Sequence, residues 1–137
     1  MRVEYMQPSK HTSTPNMRPA VSYPEIVGGI LKQLRTQRGL DQAALAKAVG
    51  VAQPTWSRIE NGTIPITVEQ LGFVAPQLAV IPSEILRLAD QAAKRFSEQG
   101  IKVTPQRANP AGIDGEGLAF LKGAAIVALL AAVFGGK

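Results

Sequence analysis

The chain has no cysteine and a single histidine among its 137 residues. Without thiols there can be no disulfide framework, no thiol nucleophile and no cysteine-ligated zinc. His11 stands alone in a proline-interrupted stretch, so no metal site is expected around it. No Ser-His-Asp set, paired carboxylates or phosphate-cradling glycine loop is visible either; neither catalysis nor a cofactor is expected, and the chain is not read as an enzyme. No apolar leader is expected: after Met1-Arg2 the prolines at positions 8, 15, 19 and 24 interrupt a segment with no apolar run. That pattern and the missing thiols fit the cytoplasm.

What is present is a modest excess of positive charge, +5 overall. Residues 25 to 98 are close to neutral, with eight basic and seven acidic side chains. Lys32, Arg35, Arg38, Lys47 and Arg58 gather in the first half of that block, while Glu69, Glu84, Asp90 and Glu98 lie later. One positive face attracts phosphate without turning the domain into a polycation.

Periodicity divides the chain into four parts: a disordered arm at 1–23, a helical domain at 24–99, a flexible linker at 100–116 and an apolar C-terminal helix at 117–137. In the domain, Pro24 suits the first position of a helix, and Ile26, Val27, Ile30, Leu31 and Leu34 recur at helical spacing. Helix 1 is expected from Pro24 to Arg38. Asp41 caps a second helix over Gln42 to Val49, which faces Leu45, Ala48 and Val49 inward. Gly50 follows where a left-handed residue is wanted, and a third helix starts near Gln53 with Pro54 in its first turn. Two helices joined so tightly cross steeply and need a small contact residue, which Ala46 supplies. Thr67 and Gln70 have capping-box spacing for helix 4, which Pro76 should shorten or kink. A fifth helix is expected from Pro82-Ser83 to Gln99, with Ile85, Ala89, Ala92 and Phe96 on one stripe.

The run Gly39-Leu40-Asp41-Gln42-Ala43-x-Leu45-Ala46-x-x-Val49-Gly50-Val51-x-Gln53-x-Thr55-x-Ser57-x-Ile59-Glu60-Asn61-Gly62 resembles the lambda-repressor-like, Cro-type (XRE) helix-turn-helix family. The similarity extends over about residues 25 to 87. It implies an all-α, five-helix domain and a sequence-specific regulator of transcription that binds double-stranded DNA as a homodimer. By the same resemblance, Gln53, Pro54, Ser57 and Arg58 on helix 3 would face base edges in the major groove. Gln42, Thr55 and Asn61 would meet phosphates. Arg35 and Glu60 would pair, with Ala46, Gly50 and Trp56 as structural residues. Glutamine suits adenine and arginine suits guanine, because each offers two hydrogen-bonding atoms in the geometry those bases present. An alternative use of the same fold is as an interaction module, antitoxin-like or a membrane-attached scaffold.

The tail adds a second question. Residues 117–136 contain one charge, Lys122, and as a continuous helix would extend about 30 Å, the thickness of a bilayer core. Two readings stand: a membrane anchor that tethers the DNA-binding domain to the inner face of the membrane, or a helix that associates subunits.

Overall fold

Ser22 starts the first helix. Its hydroxyl accepts from the Glu25 backbone N–H, and the Glu25 carboxylate accepts in return from the Ser22 N–H at 2.9 Å, a reciprocal capping box. From this cap, helix α1 (Tyr23–Gln37) runs with Ile26, Val27, Ile30, Leu31 and Leu34 buried along one stripe. In the computed structural model, residues 17–106 and 117–135 are described. The remaining helices of the domain are α2 (Gln42–Val49), α3 (Gln53–Glu60), α4 (Val68–Val74) and α5 (Pro82–Glu98), and a further helix, α6 (Gly123–Gly135), follows near the end.

Local chemistry accounts for the boundaries. Asp41 accepts from the Ala44 N–H at 2.9 Å and opens α2. Thr67 and Gln70 form the expected capping box of α4. Pro76 resolves into a shortening rather than a kink: α4 stops at Val74 and the chain tightens into a single 3-10 turn over Ala75–Leu78, where the proline occupies an early position that needs no N–H donor. The stripe on α5 is buried as the periodicity requires, with Ile85, Ala89 and Ala92 fully buried and Phe96 nearly so. These side chains meet α1, so α1 and α5 form the body against which the shorter helices pack.

The molecule is mostly helical, but it also holds a small parallel sheet. Strands β1 (Arg18–Ser22), β2 (Lys102–Thr104) and β3 (Leu118–Phe120) lie in the order β2-β1-β3. Ala20 pairs with Lys102 on one side, and Arg18 pairs with Leu118 on the other. The expected division into arm and linker is corrected here. Residues 18–22 are strand rather than the end of a disordered arm, and 102–104 are strand rather than linker. Val21 is fully buried in the main core and Ala20 in a separate cluster with Leu118 and Phe120, and burial on both faces of the central strand offsets the backbone entropy that β1 loses. The first part of the expected arm and residues 107–116 of the linker lie outside the described residues.

The tail is corrected too. Residues 117–136 do not form one continuous helix, because β3 occupies 118–120 and α6 starts only at Gly123. Thirteen helical residues extend about 20 Å, short of the about 30 Å of a bilayer core. Among the described residues no single helix is long and apolar enough to cross a membrane. Ile126 and Leu130 of α6 are buried against the domain, where α6 packs on α1 and α5.

Candidate nucleic-acid interface

The α2-turn-α3 unit is closed by its backbone. Gly50 adopts φ 82°, and its N–H donates to the Ala46 carbonyl at 2.9 Å; Val51 N–H donates to the same carbonyl at 3.0 Å. Ala46 thus receives the end of its own helix and the turn together. Its side chain is 3 % exposed, in the small contact expected of it. A left-handed residue at 50 is tolerated because glycine has no Cβ to clash.

On α3, Trp56 and Ile59 point into the core and are almost wholly buried. Gln53, Pro54 and Arg58 are exposed, and Thr55 and Ser57 are half-buried beside them. Pro54 sits in the first turn, where its missing N–H costs no intrahelical bond. Asn61 is exposed just past the end of α3, and Gln42 is half-buried at the start of α2. The residues assigned from the sequence to bases therefore share the outer side and leading end of one helix. Gln42 lies close to that leading end, in contact with Gln53.

Beneath that surface lies a polar network larger than the pair expected from sequence. Glu60 has no exposed side-chain surface and its Oε2 accepts from Arg35 Nε at 2.6 Å. Arg35 Nη2 donates to Glu60 Oε1 at 3.0 Å, and Arg35 Nη1 donates to the Leu40 carbonyl at 2.9 Å. Two further donors reach the same carboxylate: Trp56 Nε1 to Oε2 at 2.7 Å and Gln42 Nε2 to Oε1 at 2.9 Å. Gln53 Nε2 then donates to Gln42 Oε1 at 2.7 Å. A buried carboxylate is stabilised only when its charge and its lone pairs are met, and here Arg35, Trp56 and Gln42 meet them.

Only the Arg35–Glu60 pair among these contacts is expected from the sequence. Trp56, expected as a structural residue, is wholly buried, and its indole N–H needs an acceptor there; Glu60 one turn later is at helical i,i+4 spacing. That spacing was available in the sequence. The tie from Gln42 to Glu60 had no such signal, because it crosses from α2 to α3. The Ser22-Glu25 cap does have a local signal, Ser-x-x-Glu ahead of an apolar run.

Glycines set how closely the helices approach. A Cβ on Gly28 would lie 2.4 Å from the Ile59 carbonyl oxygen and 2.5 Å from that of Glu60, so α1 is in backbone contact with the last turn of α3. Gly29, its neighbour, faces the other way: a Cβ there would lie 2.2 Å from Leu130 Cδ1 of α6. A cleft of about 480 Å³ opens beside this junction, lined by Lys32, Asn61, Gly123 and Val127 among others. Among the described residues no group of His, Cys, Asp or Glu side chains could hold a metal ion.

Comparison with known proteins places the same segment. Residues 26–75 match the helix-turn-helix domain family. A crystal structure of the clp gene regulator ClgR from Corynebacterium glutamicum is similar at 25 % identity and a TM-score of 0.54, over 56 % of this chain and 82 % of that one. A second crystal structure of that regulator aligns at 26 % identity with a TM-score of 0.49, over 51 % of this chain and 91 % of that one. No curated protein sequence matches the chain.

Proposed function

We propose, from the match of residues 26–75 to the helix-turn-helix domain family and the α2-turn-α3 geometry, that the chain is a DNA-binding regulator of transcription which reads sequence in the major groove with α3. One observation carries the reading: Gln53 stands exposed at the leading end of α3 with its amide held from behind by Gln42. With one N–H of Nε2 given to Gln42, the second N–H and the Oε1 acceptor remain. These are the donor and acceptor that adenine N7 and N6–H require. Arg58 on the same exposed side supplies the two-pronged donor for guanine or a phosphate, and the Pro54 ring offers apolar contact to a thymine methyl. Ser57 and Thr55 contribute hydroxyls at the edge of the contact. Gln42, at the positive end of α2, and Asn61, after α3, hold the backbone on either side and fix register without reading sequence.

In this reading the regulator acts as a homodimer on an inverted repeat with half-sites about one helical turn apart. The C-terminal segment belongs to the packing of the domain rather than to a bilayer anchor, and the burial of Ile126 and Leu130 against α1 and α5 supports this. The deciding experiment is selection of bound duplexes from a random pool by the full-length chain, followed by a salt titration of the selected site. An enriched inverted repeat whose affinity falls steeply with salt is expected. The proposal is wrong if no duplex is enriched. Flotation of the full-length chain with phospholipid vesicles would overturn the reading of the tail.

A further inference from the structure

We infer that Trp56 is a positioning residue for base recognition: its indole N–H holds the Glu60 carboxylate which, through Gln42, sets the direction in which the Gln53 amide faces the groove. The inference rests on the reading of Gln53 as a base-contacting residue. An amide side chain can be turned over, exchanging its donor and acceptor, and a turned Gln53 would present the wrong order to adenine. Something must set the order. The chain Trp56–Glu60–Gln42–Gln53 does so because Glu60, buried within it, can only accept. An ionised carboxylate has no proton to give, so Gln42 must turn its Nε2 toward Glu60 Oε1, at 2.9 Å. With Nε2 turned inward, Gln42 places its Oε1 on the side of Gln53, which donates to it at 2.7 Å. The polarity of the core thereby reaches the exposed amide.

Trp56 has a part in this that Arg35 cannot take over. Arg35 comes from α1 and grips both carboxylate oxygens, so by itself it would let Glu60 follow α1. Trp56 lies one turn before Glu60 on α3, and its N–H on Oε2 ties the carboxylate to the recognition helix itself. That bond leaves Oε1 directed at the start of α2, where Gln42 meets it. A deep site also makes the link stiff, since Trp56 is wholly buried and the Glu60 residue is 3 % exposed.

The chain has one tryptophan, so replacing tryptophan during expression by its benzothienyl analogue alters position 56 alone. Sulfur in place of the N–H keeps the ring shape and removes the donor, and Trp56→Phe provides a second route to the same loss. The readout is the preference for adenine over other bases at the pair lost in Gln53→Ala, measured by selection from random duplexes and by competition binding. Loss of one hydrogen bond should reduce that preference by about three- to tenfold. In a Gln42→Ala background the same replacement should change it no further, because the chain is already cut. A purely structural role would instead lower affinity equally in both backgrounds and leave the preference intact, and that result overturns the inference. If Gln53→Ala removes no base preference at all, it is the underlying reading of Gln53 that fails.

Discussion

Gly28 and Gly29 are adjacent on α1, yet adding a methyl group to each should have opposite consequences. At Gly28 the new Cβ would lie 2.4 Å and 2.5 Å from two carbonyl oxygens of α3, where real methyl carbons need at least 3.0 Å. Both obstacles are backbone, so α1 and the last turn of α3 must part by roughly half an ångström, with an overpacking cost of about 1–3 kcal/mol. Alanine returns about 1 kcal/mol by favouring the helix. The separation also pulls Arg35 from Glu60, and a net loss of about 2 kcal/mol follows. At Gly29 the obstacle is the tip of Leu130, a rotatable methyl group. Turning that side chain away costs about 0.5–1.5 kcal/mol, close to what the better helix former returns. Gly29→Ala should therefore melt within about 1 kcal/mol of wild type while loosening α6. Urea denaturation followed by circular dichroism measures the first quantity, and tryptic cleavage after Lys122 measures the second. Gly28→Ala should lose stability and DNA affinity with α6 still protected; Gly29→Ala should keep both and be cut faster. If Gly28→Ala is as stable as wild type, or Gly29→Ala is the more damaging, the packing argument is refuted.

Other expectations follow from the same geometry. Arg35→Ala leaves Glu60 buried without its counter-charge and should cost about 3–5 kcal/mol in denaturant titrations. Gln53→Ala and Arg58→Ala should each lose about 1–3 kcal/mol of discrimination at different base pairs of a selected site, seen as two distinct flattened positions in the binding profile. The Tyr23 hydroxyl donates to Asp90 at 2.6 Å, and partial burial, then that hydrogen bond and the nearby carboxylate, push its pKa up to about 12 from 10.0. Because the folded value is the higher one, this stabilising contribution is complete below pH 10 and disappears as pH rises toward 12. Tyr23→Phe should flatten the fall in melting temperature over that interval; an unchanged slope would show that Asp90 does not hold the phenol.

What could be read from the sequence is what local chemistry dictates. The five helices of the domain, the Asp41 and Thr67 caps, the Gly50 turn and the α5 stripe are each written within a few neighbouring residues, and all appear in the structure. The exposed side of α3 was legible for the same reason: once Trp56 and Ile59 are inward, helical geometry sends Gln53, Pro54 and Arg58 out. The sheet was not legible. Strands of three residues carry little periodicity, and Arg18-Pro-Ala-Val-Ser22 looks like more of the proline-interrupted arm until its partners at 102–104 and 118–120 are known. Gly28 and Gly29 were equally silent, because within a helix pattern a glycine reads as a weak spot unless the surface it touches is visible. Arg35 and Glu60 were recognised as a pair through resemblance, whereas the extension of that pair to Trp56, Gln42 and Gln53 depends on how three helices converge.

The position of β1 between β2 and β3 bears on how the protein is made. Of the three strands the middle one is translated first, and its neighbours exist only once residues 102–104 and 118–120 have been synthesised. The helix-turn-helix is encoded between them and rests on shorter-range contacts, so it is able to fold while β1 waits. A ribosome that stopped after α5 would release a chain with α3 formed and β1 open along two edges, the template that draws other chains into aggregates. Synthesis through β3 withdraws that template, because β2 covers one edge of β1 and β3 the other.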